Sequence, residues 1–111
     1  MVDGMTHPLP EMMITEPPVE YIEEVCGLYF RSVFLRDAGM IVWQHVHDHD
    51  HATFVGSGAV RAWVGDACLG DFEAGRAVGI KAGAKHLFQA LKPNTRLACV
   101  HDVRQILQEA A

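Results

Sequence analysis

From residue 28 onward the chain runs in short segments of alternating apolar and polar positions, each broken by glycine or a polar turn. They are LYFRSVFLR (28 to 36), MIVWQHV (40 to 46), ATFVGSG (52 to 58), AVRAWVG (59 to 65), CLGDFEA (68 to 74), AVGIKA (77 to 82), HLFQAL (86 to 91) and RLACVHDV (96 to 103). All are rich in the β-branched and aromatic residues that fit a half-buried pleated surface. Eight strands at this spacing predict an all-β sandwich or barrel. Two flanking segments read differently. VEYIEEVCG, 19 to 27, predicts one short helical turn stopped by Gly27, and VRQILQEAA, 103 to 111, a final helical turn or two.

Four of the five prolines stand at 8, 10, 17 and 18. Proline removes a backbone donor and fixes φ, so residues 1 to 20 predict an extended arm, and residues 21 to 111 the barrel domain. The apolar Met12, Met13 and Ile14 favour an arm that lies against protein.

Composition narrows the function. A 111-residue chain that is half hydrophobic is one folded domain. Its formal net charge of -5, with the basic residues scattered, argues against nucleic acid or an anionic membrane as partner. No apolar run reaches the roughly 18 residues of a membrane span, and the N-terminus lacks the pattern of a secretory signal, so a cytoplasmic location is expected. Cys26, Cys68 and Cys99 are too far apart for a thiolate zinc motif and read as small buried residues.

One stretch stands apart: HVHDHDH, residues 45 to 51. Side chains two apart on a strand share a face. If the strand from Met40 continues, His45 and His47 lie on the face of Ile41 and Trp43, whose bulk favours the interior. Two inward imidazoles need partners, and neutral imidazole nitrogens suit a divalent transition metal. A solvated polar turn is the competing reading, and the histidines alone do not choose between them.

Spacing adds to this. From Gly39 to Gly58 the chain reads G-x5-H-x-H-x3-H-x6-G, with His45, His47 and His51 at the marked positions. This resembles the first motif of the cupins, in which the third ligand position is normally Glu. Gly75, Gly83 and His86 resemble the second motif, with Lys81 in place of the usual Pro and Ala90 in place of the usual Asn. The resemblance covers residues 28 to about 103 and implies a cupin jelly-roll barrel, a double-stranded β-helix.

The same resemblance implies one divalent transition metal per chain (Fe, Mn, Ni, Zn or Cu), bound by His45, His47, His51 and His86. His49 is read as solvated, and His101, on the last strand, as a residue supporting the ligands from behind. Parity from the ligands draws a pocket of Ile41, Trp43, Thr53, Val55, Phe88 and Ala90. No Arg or Lys can be placed in that pocket, and Arg61 and Lys81 read as surface residues. The function implied is a metal-dependent oxygenase acting on a small organic molecule. The alternatives are a non-enzymatic binder of metal or small ligands, or a polyketide cyclase or sugar isomerase. Phe54, Leu87 and Trp63 fall on the outward parity, where an apolar face predicts a homodimer interface.

Overall fold

The computed structural model describes residues 7 to 10, 18 to 43 and 50 to 102. Nine strands follow in chain order: β1 (Val19–Val25), β2 (Leu28–Leu35), β3 (Ile41–Trp43), β4 (His51–Ser57), β5 (Ala59–Val64), β6 (Ala67–Glu73), β7 (Ala77–Ile80), β8 (His86–Ala90) and β9 (Thr95–Asp102). Every pairing is antiparallel. They form a five-stranded sheet in the order β1-β2-β9-β4-β7 and a four-stranded sheet in the order β3-β8-β5-β6. No described helix is long and apolar enough to cross a membrane.

The two sheets face each other as a jelly roll, and strand parity decides what lies between them. Val33, Leu35, Val55, Val78, Ile80 and Leu97 come from the larger sheet; Val42, Val60, Ala62, Phe88 and Ala90 come from the smaller, and all are buried in one cluster. Fully burying each of the large members contributes about 1.5–3 kcal/mol relative to exposure.

The expected helical turn at 19 to 27 is instead a strand, β1, paired along its length with β2 from Val19↔Phe34 to Val25↔Leu28. Cys26 and Gly27 connect them, with φ of 52° and 76°. Positive φ at both central residues makes a two-residue hairpin turn whose twist matches the flanking strands. The Glu-rich composition of β1 hid a strand, and Cys at the first turn position hid the hairpin. Cys26 is consequently exposed rather than buried, whereas Cys68 and Cys99 are buried as expected.

Two further expectations are corrected. Trp63 and Leu87 face away from the inter-sheet core as their parity requires, yet each is only 1% exposed. They form a second buried cluster with Ile41 and Cys68, against which Leu9 packs, and Trp63 Nε1 donates to the His7 carbonyl at 2.8 Å. The segment His7–Pro10 thus covers the outer face of the smaller sheet. Phe54, by contrast, is 47% exposed on the outer face of the larger sheet. The expected C-terminal helix lies outside the described residues.

The floor of the barrel is closed by Thr95, which is fully buried. Its hydroxyl donates to the Lys92 carbonyl at 2.8 Å and accepts from the Ala59 amide at 3.3 Å. Gly58 lies against it with φ of 74°, so that a Cβ there would fall 2.9 Å from Thr95 Cα and nearer still to its hydroxyl oxygen. The glycine that ends the first motif therefore serves close approach of backbone to backbone. Gly58→Ala is expected to cost at least about 1–3 kcal/mol from the positive φ alone, read as a lowered thermal midpoint. An unchanged midpoint would refute this role.

Candidate metal centre

The chain brings the polar ends of several strands to one rim of the barrel. β4 begins at His51, β8 begins at His86, β9 ends just after His101, and β3 ends at Trp43, where the connection to β4 starts. Residues 44 to 49, including His45, His47 and His49, lie outside the described residues; the connection that carries them leaves and re-enters the fold at this same rim.

His51 and His86 point inward on opposite sheets. Each continues an alternation of buried residues, His51 with Thr53 and Val55, and His86 with Phe88 and Ala90. They are 8% and 1% exposed, and both ring nitrogens of His51 are shielded from solvent. The two ring centroids stand 4.9 Å apart at an interplanar angle of 49°. The His86 ring also meets Phe88 edge-on at 5.7 Å. His86 Nδ1 lies 3.3 Å from the Ala84 carbonyl. A carbonyl only accepts, so the contact assigns the proton to Nδ1 and the lone pair to Nε2, the form in which a histidine ligates a metal.

These residues fit a shared ion. Imidazoles whose nitrogens each lie about 2.0–2.1 Å from one ion, at interligand angles of about 90–110°, have ring centroids about 4.5–5.3 Å apart, and the observed 4.9 Å falls inside that range. Among the described residues no group of three or more His, Cys, Asp or Glu gathers; His45 and His47, the other expected ligands, lie outside them.

Asp50, the residue before His51, joins two turns of the rim. Its Oδ1 accepts the Ala82 amide at 2.7 Å, and its Oδ2 lies 3.7 Å from Lys81 Nζ. The residue before His51 is thereby tied to the turn that leads into His86. The Ala82 amide first, then the nearby Lys81 charge, hold the Asp50 carboxyl below its usual range. Lys81 is spent on this exposed pair, and Arg61 grips Asp71 through two hydrogen bonds of 2.6 and 2.9 Å on the outer surface. Neither basic residue lines the pocket.

The rest of the expected pocket divides. Thr53, Val55, Phe88 and Ala90 are buried on the inner faces, with Thr53 Oγ1 3.4 Å from Cys99 Sγ. Ile41 does not join them: it is opposite Gln89 in register and packs in the outer cluster with Trp63 and Leu87. Trp43 is opposite Leu87, on the same parity as Ile41. The inner residue of β3 is Val42, opposite Phe88. For His45 to reach the rim's interior, the alternation that runs through Ile41 and Trp43 has to break after Trp43.

His101 is half-buried and stacks on Tyr29, with centroids 4.6 Å apart and planes at 17°. Tyr29 and Arg31 were missed by the sequence reading. The signal was present, because both lie on the parity of Val33 and Leu35, which are buried in the core.

No protein-family model matches the chain, and no curated protein sequence matches it. Solved structures do. KdgF from Halomonas sp. is similar at a TM-score of 0.68 and 20% identity, over 87% of this chain and 90% of that one. A cupin superfamily protein from Desulfitobacterium hafniense is similar at 0.66 and 13% identity, over 93% and 98%. Fe(II) HppE, in complex with substrate, is similar at 0.64 and 17% identity, over 81% and 56%. At these identities the likeness establishes the fold, that of a small cupin.

The Asp50 tie generates a prediction. A carboxyl held below its ordinary value of about 3.9 contributes stability that is present above that pH and is lost as pH falls through the lowered value. Asp50→Ala is therefore expected to lower the thermal midpoint more at pH 7 than at about pH 2. A gap of the same size at both pH values would show that the carboxylate is not the stabilising form.

Proposed function

On the cupin fold, we propose that the chain binds one divalent transition metal at the barrel rim through His45, His47, His51 and His86. We further propose that it acts as a metal-dependent oxygenase on a small organic compound. The observation that carries the reading is the buried pair of His51 and His86, facing each other from two sheets at the spacing of a shared ion. His45 and His47 belong to the short connection that begins and ends beside that pair. Fe(II) HppE, on a similar fold, holds iron, in keeping with a redox metal here.

Four neutral imidazoles leave both charges of a divalent ion uncompensated, so the site favours an anionic ligand. When bound, the metal supplies Lewis acidity and a template for substrate. The protein's residues do the rest. Phe88, Val55 and Ala90 exclude water from below, Ala84 fixes the His86 ring through Nδ1, and Asp50 holds the two ligand-bearing turns together. Thr53 and Cys99 are the polar side chains on the wall beneath the rim.

The outer face of the larger sheet supports the expected homodimer. Tyr21, Phe34 and Phe54 line a groove of about 230 Å³, with the Arg96 guanidinium 4.9 Å over the Phe34 ring. An apolar sheet face of this kind is suited to a second copy. Of the three residues expected to form the interface, Phe54 remains available; Trp63 and Leu87 are already buried.

A second reading, a non-enzymatic binder of metal or small ligand, is favoured by the apolar inner wall, which offers little acid–base chemistry below the rim. Oxygen uptake by the iron- and manganese-loaded protein with diketones, thiols and catechols separates the two: turnover supports the oxygenase, and silence across the panel supports the binder.

Elemental analysis tests the metal directly. About one equivalent of Fe, Mn, Ni, Zn or Cu is expected in the untagged protein, in keeping with a single site. It should be lost in His47→Ala/His86→Ala and retained in His49→Ala. Protein that remains metal-free after loading would overturn the proposal.

A further inference from the structure

The inner rim carries one guanidinium that the pocket drawn from sequence omitted. Arg31 lies on the face of β2 that includes Val33 and Leu35, directly opposite Cys99 of β9. Cys99 is in turn opposite Thr53 of β4, two residues from His51. Two strand spacings across and two residues along place the Arg31 and His51 Cα atoms roughly 12 Å apart with both side chains inward. The span between them passes over Cys99 and Thr53, and the Arg31 side chain reaches across β2 to Glu20 of β1.

Arg31 is held for such a role. Its side chain is 24% exposed and pairs with Glu20 of β1 through one terminal nitrogen, Nη2. A guanidinium carries five N–H donors in a planar fork, and this is the one contact it makes among the described residues. Its surroundings are mixed: Tyr29 stacked on His101 to one side, and exposed Ile22, directly opposite Arg31 in register, to the other. A fork of donors beside apolar surface suits a carboxylate on a short hydrocarbon chain, since the planar fork matches a carboxylate bidentately.

We propose that Arg31, steadied by Glu20, is the anion-recognition residue of the rim and restricts the substrate to small organic carboxylates. The carboxylate sits on Arg31 and the reacting end on the His51–His86 side. The inference rests on the proposed metal centre for where the reaction occurs, but not for the binding of the carboxylate. Arg31 is thus a specificity residue for one end of the ligand.

The test uses the full-length protein, metal-loaded and metal-free, titrated calorimetrically with succinate and with its neutral diamide, succinamide. Arg31→Met is compared with the parent, and Arg31→Lys keeps the charge without the fork. Metal content is measured by elemental analysis on each sample, and far-UV circular dichroism checks the fold. Succinate is expected to bind the parent and to weaken about 10- to 100-fold in Arg31→Met, the range for losing hydrogen bonds to a charged group. Arg31→Lys should fall between them, and the diamide should bind weakly to all.

Equal succinate affinity in parent and Arg31→Met, diamide binding as tight as succinate, or no succinate binding by the parent would each overturn the inference. Metal retained in any of these cases leaves the metal centre standing. Conversely, Arg31-dependent succinate binding in protein that takes up no metal would keep the carboxylate site and remove the metal centre.

Discussion

The contact between the inner faces of the two sheets decides where every other side chain can go. Because strand residues alternate, packing Val33, Leu35, Val55 and Leu97 against Val42, Val60, Phe88 and Ala90 leaves no freedom in which residues point in at the rim. His51 and His86 are inward because residues two and four places along their own strands are core. The site is in this sense the continuation of the hydrophobic core past the point where it runs out of apolar residues. Two imidazoles buried there from opposite sheets, with ring centroids 4.9 Å apart, are the physical reason to propose a shared ligand at this place.

Connectivity then concentrates the chemistry. An antiparallel jelly roll returns the chain to the same end at every second connection. The start of β4, the start of β8 and the end of β9 therefore meet at one rim, although His51, His86 and His101 are dispersed in sequence. Two connections of this rim are tied to each other by Asp50 and the Ala82 amide. Among the described residues the opposite end is built differently: Thr95 spends its hydroxyl on Lys92 and Ala59, and Gly58 brings the backbone against it. The two motif segments contribute differently to these ends, with histidines to the rim and Gly58 to the floor.

Much of this was legible in the sequence, and the failures have a common origin. The eight glycine-bounded runs, their inward parity at β4 and β8, and the cupin spacing of His51 and His86 were readable, because periodicity and turn residues are local. What was misread depended on partners distant in sequence. β1 is strand because it pairs with β2, despite three glutamates in seven residues. Trp63 and Leu87 are buried because His7–Pro10 covers them. Ile41 was placed inside on the argument that bulk seeks the interior, but this protein has a second apolar layer under that covering segment, and bulk alone does not say which layer a residue joins. Arg31 escaped for the complementary reason: a charged residue in a strand is discounted as core, although at the rim its parity is the same as that of the core residues beside it.

The charge distribution follows from the same layout. The chain carries a formal net charge of -5, and its acidic residues are not spread evenly over the rim. Asp50 at the rim is occupied by Ala82 and Lys81, and Glu20, opposite Val33, by Arg31. The described inner face carries the imidazoles of His51 and His86 and, on β2, the guanidinium of Arg31. Anions are repelled by the protein's overall field at a distance, where salt screens the repulsion within about 8–10 Å, and meet the Arg31 guanidinium once they are inside the rim. A small anion small enough to enter gains the local contacts and loses little to the distant field, whereas a polyanion would remain in contact with the acidic exterior. That asymmetry is in keeping with the proposed small carboxylate ligand, and it comes from the placement of a few side chains rather than from composition.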